Sequence, residues 1–349
     1  MKDVIAPINT SDGLFHDGDQ STGALGTIVT AAFQNDVQSG LQNAQSEIIK
    51  VLKTANPAVV LDPAKTDQLI TALKLLFLQS GNNLSEIKTA GATSVAAAVA
   101  NLGLGTGLTG VIGDARNAKM SVTASSATAT FTADELIVGV ALGGLQYRLG
   151  NFNKTINLAT VGAGGMDTGA APASGYIALY AIYNPTTAAS ALLAVNATAA
   201  VAPQVYGGAN MPAGYTASAL VSVVSTNASS QIVPLSQIGR SISVNPTSVL
   251  STSTAAPSVT AVSVSSGVPK NALSVTLVGN TSVSGSMGIF VNIYETAGSQ
   301  GQHQFATTST GLSSTIADIK LPTPQTIYAT YGPAVTGFSQ TLSVCSYNI

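Results

Sequence analysis

Two rhythms of apolar residues divide this chain. Between Ala24 and Lys53 the positions Val37, Leu41, Ala44, Ile48 and Val51 are spaced four, three, four and three apart, a helical repeat. Two heptads of that spacing fit a parallel bundle of identical helices, and fit equally an amphipathic helix folded on its own domain. Asn56-Pro57 ends this helix. Asp62-Pro63 offers an N-cap carboxylate followed by proline, predicting a second helix to about Gln79 with Leu69, Leu73, Leu76 and Phe77 on one face. After the turn Ser80-Gly81-Asn82-Asn83 a third helix is expected to about Asn101. Gly103, Gly105, Gly107 and Gly110 then cost too much backbone entropy to prolong it, and mark a connector.

From Ser121 the rhythm changes to alternation, beginning with Val122-Thr123-Ala124 and Thr128 to Thr132. Further strands are predicted over Ile177 to Tyr183, Ser218 to Ser225, Ser241 to Val244, Val259 to Ser265 and Leu273 to Val278. Others follow at Ile289 to Tyr294, Ile327 to Tyr331 and Thr341 to Tyr347. Short strands separated by Gly, Pro, Asn and Ser turns predict β-sandwich-like modules. Asn245-Pro246, followed by a Ser/Thr-rich stretch with Pro257, marks an expected module boundary. The predicted fold class is mainly β with an N-terminal α-helical segment. Its parts are an extended arm (1–23), a helical region (24–102), a Gly-rich connector (103–120) and two β modules (121–245 and 246–349).

Charge follows the same division. Of the 28 Asp, Glu, Lys and Arg residues, 21 precede residue 149, and the last 201 residues hold seven. A long segment of Ser, Thr, Ala, Val and Gly must keep itself solvated by neutral hydroxyls and amides. It also lacks the acids and bases that catalysis needs, with Asp167, Glu295 and Asp318 as its only carboxylate side chains. The net charge of −2 and the lack of a basic cluster argue against nucleic-acid binding. Apolar content is largely Ala and Val, aromatics are sparse and Trp is absent, so intersubunit burial is an expected supplement to the core. Cys345, the single cysteine, reads as a buried strand residue. The Asp-rich start lacks the layout of a secretory signal, and the stretch Val95 to Leu108 is too short to span a membrane.

Three phrases, in order across residues 7 to 104, resemble the N-terminal region of tail fibre proteins of contractile-tailed bacteriophages and related prophages. The first runs from Ile8 to Gly18 and contains Gly13-Leu14-Phe15-His16-Asp17-Gly18, leading into Gly23-Ala24-Leu25-Gly26-Thr27-Ile28-Val29-Thr30. The second is Asp62-Pro63-Ala64-Lys65-Thr66-Asp67-Gln68-Leu69, and the third is Asn82-Asn83-Leu84-Ser85-Glu86-Ile87-Lys88. Tyr176 to Pro185 and Tyr206 to Tyr215 are similar to a β module from the distal part of such fibres. The resemblance implies a homotrimeric fibre, made in the host cytoplasm and carried on the virion at the baseplate periphery. Its helical bundle would be held by Val37, Leu41, Ala44, Ile48 and Val51. Phe15, His16 and Asp17 would attach to a baseplate protein, and the distal β modules would contact a bacterial surface glycan or outer-membrane receptor. The chain lacks the repeated His-x-His pattern that holds iron along some fibre needles, having only His16 and His303, so no metal or other cofactor is expected. Membrane insertion is not expected either.

Candidate chemistry is sparse. Hydrolysis of a glycosidic bond usually needs two carboxylates. Asp167 sits in a Gly-rich loop, Glu295 ends a strand and Asp318 precedes Ile319-Lys320, so no catalytic residue is assigned. The Gly-rich loop has no Lys-Ser or Lys-Thr for a phosphate, and no Gly-x-Ser-x-Gly occurs. Gln302, His303, Gln304 and Phe305, read as a loop, join neutral donors and acceptors to an aromatic ring, a combination suited to a sugar. Tyr294, Tyr328 and Tyr331 are candidates to complete that site. A surface-polysaccharide depolymerase tailspike and the fibre of a phage-tail-like bacteriocin are the alternative readings.

Overall fold

A computed structural model describes residues 7, 10–55, 57–78, 81, 84–102, 110–285 and 288–349. The expected connector falls largely on residues 103–109, outside the described residues, as do Ile8, Asn9, Asn56, Gln79, Ser80, Asn82 and Asn83. The chain forms two units, Met1–Val99 and Ala100–Ile349. The protein is mainly β, with antiparallel sheets following an N-terminal helical segment.

In the first unit the described end of the expected arm folds back into a hairpin. Asp19 and Ala24 form an antiparallel bridge, and His16 pairs with Thr27 through Thr27 N to His16 O at 2.9 Å and His16 N to Thr27 Oγ1 at 2.8 Å. A Cβ on Gly26 would lie 2.8 Å from Gly18 N, so the two strands of this hairpin approach closely because both positions lack side chains. Helix α1 (Ala31–Thr54) begins seven residues later than the apolar pattern suggested. Residues before it are spent on the hairpin, and the Thr30 side chain accepts the Phe33 N–H at 3.2 Å as its N-cap.

Helix α2 (Gln68–Leu76) is shorter than expected at both ends. Asp62 does not cap it. Its carboxylate accepts the Ala64 N–H at 3.0 Å and its carbonyl the Lys65 N–H at 3.1 Å, closing a turn that the Gln68 side chain braces from Asp62 N at 2.9 Å. The expected third helix is two, α3 (Ser85–Thr89) and α4 (Ala92–Asn101), interrupted where Gly91 takes φ +98°. Leu52, Ala55 and Ala72 bury together with Val51 and Val59 beside them, fixing the end of α1 to α2. Elsewhere on α1 the predicted seam stands open in the single chain, with Leu41 61% and Ile48 44% exposed.

The second unit begins with β1 (Ala115–Arg116), β2 (Lys119–Val122), β3 (Thr128–Gly139), β4 (Gln146–Asn157) and β5 (Tyr176–Asn184). Then come β6 (Ala189–Asn196), β7 (Ala217–Ser225), β8 (Leu235–Ile238), β9 (Ser241–Thr252) and β10 (Ala256–Ser263). β11 (Ser274–Ser282), β12 (Ile289–Tyr294), β13 (His303–Thr307), β14 (Gly311–Lys320), β15 (Thr326–Gly332) and β16 (Ser339–Asn348) complete it. One sheet runs β14-β11-β16-β9-β8-β2-β3-β7-β5-β6, with β1 and β4 also paired to β3, and the other is β10-β15-β12-β13.

The expected boundary at Asn245-Pro246 lies inside β9, and one core joins residues on both sides of it. Strand β9 pairs with β8 before that point and with β16 through most of its length. Strands β9 to β16 form two layers, β9-β16-β11-β14 and β10-β15-β12-β13, with the chain crossing between them at every step except β12 to β13. That interleaved order is the jelly roll, which covers one face of each layer with the other. Burying a side chain such as Phe131 or Leu277 stabilises by about 1.5–3 kcal/mol, and both are fully enclosed.

Polar groups inside this unit are neutral and paired. Gln237 accepts from the Ser222 hydroxyl at 2.7 Å and donates to Val221 O and Gly239 O at 2.9 Å each, while the Thr281 hydroxyl donates to Gln340 Oε1 at 2.6 Å. Cys345 lies on β16 as expected for a strand residue, but is half-buried rather than enclosed. Among the described residues no helix is long and apolar enough to cross a membrane.

Candidate functional site

The seven residues expected to bind a receptor all belong to, or adjoin, the four-stranded layer. His303, Gln304 and Phe305 are not in a loop but on β13, which starts at His303 with Gln302 just before it. Strand neighbours point to opposite faces, so these four cannot act together from one side. Register decides the sides, because directly opposed residues share a face. His303 opposes Ile293 and Phe305 opposes Val291, both core residues, and Tyr331 also opposes Val291. His303, Phe305 and Tyr331 therefore turn towards the core. Tyr331 is 5% exposed and stacks on Phe338 at 6.1 Å and 2°.

The opposite face collects the rest. Gln304 opposes Asn292, Asn292 opposes Thr330, and Tyr294 opposes Tyr328. A ladder of neutral hydrogen bonds crosses the strands there. Gln302 Nε2 donates to Asn292 Oδ1 at 3.1 Å, Asn292 Nδ2 donates to Thr330 Oγ1 at 2.9 Å, and the Tyr294 hydroxyl lies 3.4 Å from the same Thr330 oxygen. Gln302 and Gln304 are exposed and Tyr328 half-buried, while Tyr294 and Thr330 are enclosed beneath them. The face presents side-chain amides, a hydroxyl and a phenol ring, with Asn292 and Thr330 as the positions that the sequence reading missed. Only strand pairing identifies them, since polar residues inside an apolar strand carry no separate signal.

The few charges sit apart from this face. The Asp167 carboxylate accepts the Tyr206 hydroxyl at 3.0 Å and the Thr168 N–H at 2.8 Å, in a loop stitched by bridges of Met166 to Val161 and Ala194. Glu295 Oε1 accepts the Lys320 N–H at 3.1 Å, and Lys320 Nζ pairs with Asp318 at 2.6 Å. That hydrogen bond from Lys320 is the main cause holding the Asp318 carboxyl below its ordinary range, followed by one from Ser274. Asp318 has φ +57° where β14 slips register against β11 between Val275 and Leu277, a bulge that aims its side chain at Lys320. Among the described residues no group of three or more His, Cys, Asp or Glu is placed to hold a metal.

At the other end of the chain, Phe15, His16 and Asp17 lie on the first strand of the N-terminal hairpin. His16 Nε2 is 2.9 Å from Asp12 Oδ1, which also accepts the Leu14 N–H at 3.0 Å. The His16 hydrogen bond is the larger cause lowering the Asp12 carboxyl. Phe15 packs edge-on against Phe33 of α1 at 5.5 Å yet is 54% exposed, and Leu14, Leu25 and Ile28 beside it are 62%, 89% and 73% exposed.

No protein-family model matches the chain, and no curated protein sequence matches it. A search of solved structures found the insecticidal delta-endotoxin Cry8Ea1 from Bacillus thuringiensis, at 7% identity and a TM-score of 0.19. The match covers 71% of this chain and 55% of that one, and likeness of this degree carries no argument about either fold or function.

Proposed function

We propose that this chain is a tail fibre protein of a contractile-tailed phage or related particle. The helical unit assembles a homotrimer and attaches to the baseplate through the hairpin at Phe15, His16 and Asp17. The β unit binds bacterial surface carbohydrate, lipopolysaccharide being the first candidate. The observation that carries the recognition half is the neutral ladder Gln302-Asn292-Thr330-Tyr294, topped by exposed Gln304 and half-buried Tyr328, on a layer with no charged side chain on that face. Amides and hydroxyls both donate and accept, as sugar hydroxyls require, and phenol rings suit the C–H faces of pyranoses. The open seam of α1 and the phrases shared with tail fibres support the assembly half.

Weak sites suffice in such an arrangement, because three copies per fibre and several fibres per particle raise the effective concentration. The test is binding of the intact chain to immobilised lipopolysaccharide from a panel of bacteria, with its mass in solution measured in parallel. Retention on at least one lipopolysaccharide by a trimer is expected. A monomer at micromolar concentration that adheres to none of them would overturn the reading.

A further inference from the structure

Strand register gathers four loops at one end of the β9–β16 sandwich. Ser282 opposes both Ser339 and Gly311, Thr252 opposes Gln340, Ala256 opposes Tyr331, and Ile289 opposes Thr307. The connections that leave Thr252, Ser282, Thr307 and Gly332 therefore share that end, through the described residues 253–255, 283–285, 288, 308–310 and 333–338. The opposite end is fastened to the β1–β8 half of the unit. There the Tyr176 hydroxyl donates to Ser265 O at 2.9 Å, Lys270 Nζ donates to Ala199 O at 2.7 Å, and Asn271 bonds both backbone groups of Ala202. The four-loop end is thus the one turned away from the rest of the β unit.

Three of these connections, those after Thr252, Ser282 and Gly332, line an open depression of about 770 Å³, with the hydroxyls of Ser253, Thr254, Ser284 and Thr336 over a floor of Ala255 and Val335. None of the four loops contains a charged residue. The four hydroxyls make no hydrogen bond to another described residue, whereas the ladder on the sheet face spends most of its capacity internally. The walls are also fixed in advance. Gly337, at φ +77°, sits so close to Ser284 that a Cβ would overlap the serine side chain. Val283 N donates to Thr310 O at 2.9 Å, and the Tyr331–Phe338 stack anchors the base of the 333–338 loop. Preformed walls reduce the ordering cost of binding.

We infer that this depression is a second saccharide site, separate from the sheet face, and that it takes a neutral sugar residue. The inference rests on the carbohydrate-binding reading above. Four unspent hydroxyls can serve a sugar that offers both donors and acceptors, and the Ala255 and Val335 floor can carry its apolar face. An acidic sugar would lose its hydration here with no cation to compensate.

The experiment uses the intact chain and immobilised lipopolysaccharides, one set with neutral O-chains and one with O-chains rich in uronic acids. Thr336→Trp and Ser253→Trp each fill the depression from an exposed position, and Gln304→Trp covers the sheet face. Thermal melting of each variant checks folding, and a second filling variant keeps the test open if one disturbs the loops. Each filling variant is expected to lower binding to neutral O-chains at least threefold, and to multiply the loss caused by Gln304→Trp. Unchanged binding by both filling variants, with loss in Gln304→Trp, overturns the second site and leaves the sheet face standing. Preference of the parent chain for uronic-acid O-chains overturns the neutral-sugar assignment. Failure of the parent chain to bind any of the panel removes the carbohydrate reading itself, and this site with it.

Discussion

The hydroxyl of Tyr347 donates a 2.9 Å hydrogen bond to the carbonyl of Val223, joining the last strand to a strand 124 residues earlier. The ring is 1% exposed, and burial holds the phenol far above its ordinary pKa, so it stays a neutral donor at any working pH. This bond crosses the point where two independent modules were expected, and it ties together two halves of the β unit that also share one core.

Tyr347→Phe should therefore lower the stability of the whole β unit by about 1 kcal/mol, the usual net worth of such a bond. Denaturant unfolding followed by far-UV and near-UV signals is expected to give one coincident transition for residues 110–349. Two separate transitions would argue for independent halves.

Asn271 supplies a stronger tie, its amide donating to Ala202 O at 2.8 Å and its carbonyl accepting from Ala202 N at 2.9 Å. Both backbone groups would be left unmatched by Asn271→Leu, at a cost of about 1–3 kcal/mol for each buried group. A fall in melting temperature larger than that of Tyr347→Phe is expected. Equal or smaller loss would mean that water replaces the side chain.

Gly337→Ala combines an unfavourable φ of +77° with overlap against Ser284. The expected cost is about 1–3 kcal/mol in strain, relieved by movement of the 333–338 loop. Calorimetry measures the loss, and a neutral effect would show that the loop is not held where it lies.

On the N-terminal hairpin, the Asp19 carboxylate accepts from the Ser21 hydroxyl at 2.6 Å and the Ser21 N–H at 2.8 Å. These bonds, the hydroxyl first, hold its pKa at about 2. Because the folded value lies below the unfolded one of about 3.9, the turn gains its stability from this group above about pH 4. That contribution is lost as pH falls through about 2. The Ser21 amide shift should titrate near pH 2 by NMR and cease to do so in Asp19→Asn. A midpoint near 3.9 would show that the bonds are not formed in solution.

Replacing Leu41 and Ile48 with Lys tests the open seam of α1. Assembly is expected to fall to monomer by analytical ultracentrifugation, with the melting of the β unit unchanged. An unaltered mass would assign these side chains to plain surface.

Much of the β unit was legible where apolar alternation is strong: β5, β7 and β12 stand within a residue of their expected bounds. Strands β1, β4, β6, β8, β13 and β14 were not expected: in β4 and β14 Ser, Thr, Gly and Asn suit turns as readily as the solvent face of a strand, and the Ala-Leu-Leu-Ala-Val run of β6 does not alternate. Helix ends were misread for a related reason. Asp62 can cap a helix or close a turn, and the bracing by Gln68 that selects the turn is a contact, not a pattern.

The candidate site divides the same way. The sequence by itself determined that the last 201 residues must present a nearly neutral surface, because they hold only seven charged side chains. It also marked Gln302, Gln304, Tyr294 and Tyr328, together with His303, Phe305 and Tyr331, as candidates for contact with a neutral ligand. Only the tertiary structure decided that His303, Phe305 and Tyr331 face the core, that Asn292 and Thr330 join the others, and that three uncharged loops meet around one depression. Composition is a property of each residue alone, whereas the face a side chain takes depends on register with strands that can lie more than a hundred residues away, as Lys119 opposite Ile238 does, and no local pattern carries that register.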